Sequence, residues 1–128
     1  MAPQSSSYRV LLLEDNENEA YLTRVLLRGI ADVVSVNNRT DYEQLLSSMH
    51  AMLFDLILAD VRVPGFRDWD ALHLAKKHRP SVPFIYLSGS VRDEELAQAM
   101  QHGAHDYVQK DRIARLEMVI KRLFNLPL

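Results

Sequence analysis

The chain has 128 residues, a formal net charge of −2 and no cysteine. This length suits one domain with its own hydrophobic core, and the lack of cysteine excludes disulfides and thiolate metal sites. The small negative charge is unlike the basic footprint of a nucleic-acid-binding domain, and no apolar run approaches the roughly 18 residues that a membrane span needs. These features fit a cytoplasmic protein, which is the location we expect.

Residues 1–7 are small and polar and lack the basic and apolar segments of a signal peptide, so we expect a disordered leader there. From Tyr8 onwards, short apolar runs alternate with segments in which apolar residues recur at helical spacing. Five such strand-helix units follow one another without a repeat, a linker or a low-complexity tract. The sequence therefore predicts a single α/β domain.

The first unit opens with an apolar strand, Tyr8 to Leu13, that ends on Glu14 and Asp15. Asn16 stands at an N-cap position, with Glu19 at the capping-box spacing behind it. We expect the helix to stop near Gly29. Its expected apolar face consists of Leu22, Val25, Leu26 and Ile30.

The second unit begins with a β-branched strand, Ala31 to Val36. Thr40, with Glu43 at the capping-box spacing, is predicted to open the helix that follows. The expected apolar face of this helix consists of Leu45, Leu46, Met49 and Met52.

The third unit contains the most informative stretch, an uninterrupted apolar run between Asp55 and Asp60. A run without a polar break is typical of a strand that is buried on both faces of a parallel sheet. A turn signal, Pro64-Gly65, follows. Because open α/β sheets bind ligands at the carboxyl ends of their strands, Asp60 is the residue that we predict to be reactive.

The remaining strands also end on polar side chains. A third helix, Trp69 to His78, ends in a basic turn that suits the helix dipole. The fourth strand, Val82 to Leu87, leads to Ser88, and the fifth, Asp106 to Gln109, leads to Lys110.

The last two helices complete the pattern. Ser90 and Asp93 have capping-box spacing at the start of a helix that runs to about His102 and stops at Gly103. Asp111 is predicted to cap the final helix. The expected apolar face of that helix consists of Ile113, Leu116, Val119, Ile120 and Leu123.

Five alternating units predict a doubly wound α/β fold with a five-stranded parallel sheet in the order 2-1-3-4-5. All the carboxyl strand ends then open on the same edge, where five polar side chains can converge: Glu14, Asp15, Asp60, Ser88 and Lys110. Clustered carboxylates repel one another unless a cation joins them, and an all-oxygen ligand set suits Mg²⁺. A carboxylate beside Mg²⁺ can act as the nucleophile that forms an aspartyl phosphate, with Lys110 and Ser88 contacting the phosphate.

The same segments resemble the receiver domain of two-component response regulators. The resemblance rests on Val10 to Asn16, Asp55 to Gly65, Phe84 to Gly89 and Gly103 to Lys110, in that order. Each segment alone is a weak signal, but the four together at this spacing are specific. The resemblance covers nearly all of the chain and implies a receiver domain over residues 8–125.

The resemblance implies a role for each of the matching residues. Asp60 would accept a phosphoryl group from a histidine kinase or phosphotransfer protein. The metal site would use Glu14, Asp15, Asp60 and the backbone carbonyl of Arg62. Ser88 and Tyr107 would act as the switch, and Lys110 would bind the phosphate. A downstream protein would then be recognised through the face of helix four, strand five and helix five.

The chain departs from the family pattern at three places. Asp111 follows Lys110 where proline with a cis bond is usual, so the isomer of this bond stays open. Arg67 and Asp68 stand in the turn after Pro64, where the family usually has a glycine. The long cationic side chain of Arg62 lies at the rim of the pocket, where it could pair with Glu14 or the phosphoryl group and change its lifetime.

Two other functions stay open. A receiver-like binding module could act without phosphorylation, and a phosphatase could use an aspartyl intermediate. Phosphatases of the haloacid dehalogenase type want a second Asp two residues after the nucleophile, and Arg62 occupies that position. We therefore expect no turnover of an external substrate beyond self-phosphorylation and autodephosphorylation. His102 and His105 flank a glycine but lack a third ligand of suitable spacing, which argues against a metal site there.

Overall fold

The computed structural model describes residues 8–48, 53–89 and 92–128. The expected leader at residues 1–7, the apolar positions Met49 and Met52 and the capping residue Ser90 lie outside the described residues. The elements, in chain order, are β1 (Tyr8–Leu13), α1 (Glu17–Leu26), β2 (Ala31–Val36), α2 (Arg39–Ser47), β3 (Leu56–Asp60), α3 (Asp70–His78), β4 (Phe84–Ser88), α4 (Asp93–Gln101), β5 (Asp106–Gln109), a 3₁₀ turn (Lys110–Arg112) and α5 (Ile113–Leu123).

The five strands form one parallel sheet in the order β2-β1-β3-β4-β5, which confirms the predicted topology. Strand β3 lies at its centre, and its residues from Leu56 to Ala59 are fully buried. Continuous burial explains why this strand reads as an unbroken apolar run, because helices cover both faces of a parallel sheet.

Side chains of successive strand residues enter two separate apolar cores, one on each face of the sheet. The core that includes residues of α2, α3 and α4 contains Leu11, Leu13, Ile57, Ala59, Phe84 and Tyr86. The core that includes residues of α1 and α5 contains Val10, Leu12, Leu56, Leu58, Ile85 and Leu87. This division rests on the two-residue period of the strands. Asp60 continues the alternation of Leu56 and Leu58, so its side chain emerges on the face of α1 and α5.

The buried face of α1 is not the predicted one. Ala20 and Thr23 are the buried residues of the helix, whereas Leu22 and Val25 are 63% and 36% exposed. The prediction was therefore wrong for Leu22 and Val25, while Leu26 and Ile30 are partly buried against the core. Small residues at the contact allow the helix to approach the sheet closely. Thr23 can be buried because its hydroxyl donates to the Glu19 carbonyl oxygen at 3.0 Å.

Helix caps also differ from the prediction at two helices, α2 and α5. Asn16 caps α1 as expected, accepting a 3.0 Å hydrogen bond from the Glu19 backbone N–H. Helix α2 begins earlier than expected, because Asn38 rather than Thr40 is its N-cap and accepts from the Asp41 backbone N–H at 2.9 Å. Asn side chains accept this bond readily, so Asn38 satisfies a donor at the first turn.

The start of α5 corrects a second predicted cap. Asp111 lies inside the 3₁₀ turn, and the N-cap residue Arg112 makes no side-chain capping hydrogen bond. The predicted inward face is confirmed for Leu116 and Ile120, which are fully buried, but Ile113 is 36% exposed. The turn displaces the start of the helix, which leaves Ile113 at the surface. None of the helices in the described ranges is long and apolar enough to cross a membrane.

Candidate functional site

The strand register brings the predicted site residues to one edge of the sheet. Leu13 pairs with Ala59, so Glu14 and Asp60 follow at neighbouring strand ends. Asp60 pairs with Leu87, and Ser88 pairs with Gln109, which places Lys110 immediately beyond. The convergence expected from a parallel sheet is therefore present in the structure.

Three carboxylates lie close together at this edge. One oxygen from each of Glu14, Asp15 and Asp60 falls within 4.8 Å of the others, and this is the one such group of acidic or imidazole ligands in the described part of the chain. Glu14 is buried, Asp60 is half-buried and Asp15 is exposed. The backbone N–H of Asn16 donates to the second Glu14 oxygen at 3.2 Å, which fixes that carboxylate.

The Lys110 ammonium lies among these acids. Its Nζ is 3.0 Å from Glu14 Oε1, 3.4 Å from Asp60 Oδ2 and 2.5 Å from Glu19 Oε1. One cation thus partly neutralises the cluster from the side of α1 and α5. The distance to Asp60 is the longest of the three, so Lys110 is held mainly by the two glutamates.

Burial and charge act on these groups in opposite directions. Burial raises the pKa of Glu14, with a contribution from the Asp60 charge, although the hydrogen bond from Lys110 opposes the shift. Burial opposes the charged form of Lys110, but the bonds to Glu19 and Glu14 outweigh it and raise the pKa of Lys110. Lys110 is therefore a permanent cation at this site near neutral pH.

Ser88 and Tyr107 lie beside the carboxylates on neighbouring strands. Both side chains are buried, with Ser88 4% and Tyr107 3% exposed. Burial raises the pKa of the Tyr107 phenol, and the neighbouring Ser88 side chain partly offsets this shift. The two residues assigned to the switch are thus in contact, and the Tyr107 ring points inward.

Arg62 lies at the rim of the pocket, as its position in the chain suggests. Its backbone N–H points at Asp60 Oδ1 at a long 3.4 Å, and its side chain is exposed. Glu14 pairs with Lys110, and no ion pair joins Arg62 to Glu14 in the described ranges. The Arg62 charge lowers the pKa of Tyr107, against the larger effect of burial, which raises it.

The turn after Pro64 shows how the chain manages without the usual glycine. Gly65 and Asp68 both adopt a left-handed backbone, with φ of 93° and 43°. Arg39 on α2 braces the turn, donating to the Gly65 carbonyl at 3.2 Å and pairing with Asp70 at 3.1 Å. Asp68 thus takes the strained position that glycine tolerates freely.

The bond between Lys110 and Asp111 is trans, since no cis peptide bond occurs in the described residues. Lys110 therefore reaches the acidic cluster from the first residue of the 3₁₀ turn. This settles the isomer that the sequence left open.

Glu19 is the site residue that sequence reasoning missed. Its backbone serves the N-terminal cap of α1, and the capping pattern explained its presence without a role for the carboxylate. The missed signal was its place on the first turn of α1. This turn follows directly after the acidic end of β1 and faces the pocket. His102, by contrast, hydrogen-bonds to His73 at 3.0 Å, and neither it nor His105 belongs to the acidic cluster.

A family model described as the response regulator receiver domain matches residues 10–121. The chain belongs to this family. The receiver domain is thus the unit that carries the acidic cluster, the lysine and the paired serine and tyrosine.

Curated relatives are longer than this chain. Luminescence regulatory protein LuxO of Vibrio campbellii is 30% identical over 99 residues, which cover 77% of this chain and 21% of LuxO. Sensory transduction protein BceR of Bacillus subtilis is 28% identical over 124 residues, which cover 91% of this chain and 51% of BceR. The chain therefore spans about a fifth of the first relative and about half of the second.

Solved structures share the fold. The beryllofluoride-activated receiver domain of DrrB, a Thermotoga maritima protein, superposes with a TM-score of 0.81 at 21% identity, covering 94% of this chain and 99% of that one. The receiver domain of the sensor histidine kinase PA1611 from Pseudomonas aeruginosa gives a TM-score of 0.78 at 22% identity. The match covers 94% of this chain and 99% of that one. The latter structure has a magnesium ion coordinated in its active-site cleft.

Proposed function

We propose that residues 8–125 form a phosphoacceptor receiver domain in which Asp60 takes a phosphoryl group from a histidine kinase or phosphotransfer protein. The observation that carries this proposal is the position of Asp60, within 4.8 Å of two further carboxylates and 3.4 Å from the Lys110 ammonium. Residues 1–7 are proposed to be a leader outside the domain. The proposed location is the cytoplasm, where such donors act.

The transfer step requires no proton at Asp60. A carboxylate oxygen of Asp60 attacks the phosphorus of the donor's phosphohistidine, forming a P–O bond as the P–N bond breaks. The histidine nitrogen leaves with the electron pair of the broken bond. Lys110 neutralises charge on the phosphoryl oxygens, and the Ser88 hydroxyl donates to one of them. These two residues thus supply part of the charge neutralisation that the transfer needs.

The acidic cluster fits Mg²⁺. Its donors are oxygens alone, one from each carboxylate, and they lie close enough to share one ion. Glu14, Asp15, Asp60 and the backbone carbonyl of Arg62 are the proposed holders. When bound, Mg²⁺ would neutralise the three carboxylates and the phosphoryl oxygens.

An apolar groove beside the site suits the approach of a donor helix. It has a volume of about 370 Å³ and is lined by Leu22, Val25, Leu26 and Ile113 together with Glu19 and Lys110. Leu22 and Ile113 are among the residues whose exposure the sequence did not predict. A helix seated there would bring its phosphohistidine to Asp60.

The proposed response is a change in the surface around α4, β5 and α5. Ser88 turns toward a phosphoryl group on Asp60, and Tyr107, which contacts Ser88, follows it. Met100 on α4 and Met118 on α5 are 44% and 43% exposed, so this face offers apolar contacts to a downstream protein. The signal is thus transmitted through the serine-tyrosine contact.

The test is to incubate the protein with Mg²⁺ and phosphoramidate and to follow its intact mass. An acid-labile phosphate adduct that forms on the wild type and is absent from Asp60→Asn supports the receiver. No adduct would favour a binding module that acts without phosphorylation. Multiple turnover of an external phosphate ester would favour a hydrolase.

A further inference from the structure

Glu19 makes the shortest contact of the Lys110 ammonium, at 2.5 Å against 3.4 Å for Asp60. The carboxylate belongs to the first turn of α1 and not to a strand end. It is 41% exposed, whereas Glu14 is 1% exposed. Lys110 is therefore shared between a buried acid and a half-exposed one.

The backbone of Glu19 is held in place at both ends. Its N–H donates to the Asn16 side chain at 3.0 Å, and its carbonyl oxygen accepts from the buried Thr23 hydroxyl at 3.0 Å. Because these bonds involve only the Glu19 backbone, its side chain can break the contact with Lys110 without changing the structure of α1.

We propose that Glu19 is a positioning residue for Lys110. The Glu19 carboxylate draws the Lys110 ammonium away from Asp60 until an arriving phosphoryl group competes for it. This inference rests on the proposed function of Asp60. The incoming phosphoryl group carries more negative charge than a carboxylate and competes with Glu19 for the Lys110 ammonium, which already contacts three carboxylates. Glu19 thus sets how readily the site accepts phosphate.

The direction of the effect follows from charge. Removing the Glu19 charge frees Lys110 and removes a repulsion on the approaching anion. Because Glu19 is partly exposed, the effect is moderate, and Glu19→Gln is expected to label with phosphoramidate about three- to tenfold faster than the wild type at low salt. At about 1 M salt, where the screening length is about 3 Å, the labelling rates of Glu19→Gln and the wild type should become nearly equal.

Glu17→Gln is the matched control. Glu17 lies on the same turn of α1, and its replacement by Gln changes the net charge and the charge near the helix N-terminus as Glu19→Gln does. Glu17 makes no ion pair in the described residues. Its labelling rate should stay at the wild-type value. Glu19→Asp, which shortens the side chain by one methylene, should fall between the wild type and Glu19→Gln.

A second measurement tests the ion pair without phosphorylation. In protein labelled with ¹³C and ¹⁵N at lysine, the NMR signals of the Lys110 ε-methylene and ammonium should shift in Glu19→Gln and stay in place in Glu17→Gln. Equal labelling rates for Glu19→Gln and the wild type, or equal acceleration by both variants, would overturn the inference. If the wild type takes no label, the proposed function fails and this inference with it, while unmoved Lys110 signals would disprove the ion pair separately.

Discussion

Lys110 Nζ lies 3.0 Å from Glu14 Oε1, joining the end of β5 to the end of β1 past the ends of β3 and β4. Glu14 is almost completely buried, and its carboxylate shares this edge with that of Asp60. A buried acid next to another acid is costly unless a cation compensates it. Lys110 therefore stabilises the fold as well as the proposed phosphate site.

Lys110→Ala should destabilise the protein when no divalent cation is present. Glu14 would lose its charged partner in a buried position, which costs about 1–3 kcal/mol of the free energy of unfolding. Urea denaturation in a chelating buffer measures the change. Lys121→Ala, which removes a lysine paired with Glu117 at 3.3 Å on α5, is the control and should change stability by less than about 0.5 kcal/mol. Equal stability of Lys110→Ala and wild type would contradict this account.

Asn38→Ala should destabilise the protein by about 1 kcal/mol, since the side chain caps α2 through the Asp41 N–H. Thr40→Ala, at the position that the capping-box pattern favours, should cost much less because Thr40 makes no cap bond. Thermal unfolding of the two variants side by side decides the matter. A larger loss for Thr40→Ala would show that the cap is misassigned.

Asp68 adopts a φ of 43°, which favours glycine. Asp68→Ala should lower the free energy of unfolding by about 1 kcal/mol, because alanine lacks the tolerance of aspartate for this conformation. Asp68→Gly should be neutral or stabilising, since the relieved strain offsets the greater freedom of the unfolded chain. Chemical denaturation of both variants gives the comparison, and a destabilised Asp68→Gly would argue against strain at this turn.

Tyr42 makes the stability of the protein sensitive to alkaline pH. Its hydroxyl donates to the Ala71 carbonyl at 2.6 Å, and burial raises its pKa well above the usual value of 10.0. Above pH 10 the unfolded state releases this proton and the folded state keeps it, so the free energy of unfolding falls as pH rises.

Tyr42→Phe should therefore lose about 1 kcal/mol at neutral pH through the missing hydrogen bond and show a shallower decline above about pH 10. Urea midpoints measured across this range check the slope. Tyr21→Phe, at a position that is 58% exposed, is the control and should retain the wild-type slope. An unchanged slope in Tyr42→Phe would mean that another group carries the alkaline sensitivity.

The fold could be predicted because its signals are local and regular. The apolar run from Leu56 to Ala59 specifies a strand buried on both faces, and the alternation of strands and helices leaves few topologies. The convergence of Asp60 and Lys110 then follows from the topology alone.

Features that depend on how elements pack could not be predicted in this way. Leu22 and Val25 are more hydrophobic than Ala20 and Thr23, yet the smaller residues face the sheet because close approach and the Thr23 hydrogen bond outweigh hydrophobicity. Glu19 was accounted for by a capping pattern that concerns only its backbone. Its ion pair with Lys110 requires α1 to lie close to the turn that follows β5, which no local pattern encodes.

The most direct test of the proposed function locates the phosphoryl group. After labelling with phosphoramidate and Mg²⁺, borohydride reduces an aspartyl phosphate to homoserine, and peptide mass mapping finds the altered residue. The account predicts homoserine at position 60 in the wild type and none in protein treated without the phosphodonor. Homoserine at Asp15 or Asp55 instead of Asp60, or at no position in a correctly folded wild type, would contradict it.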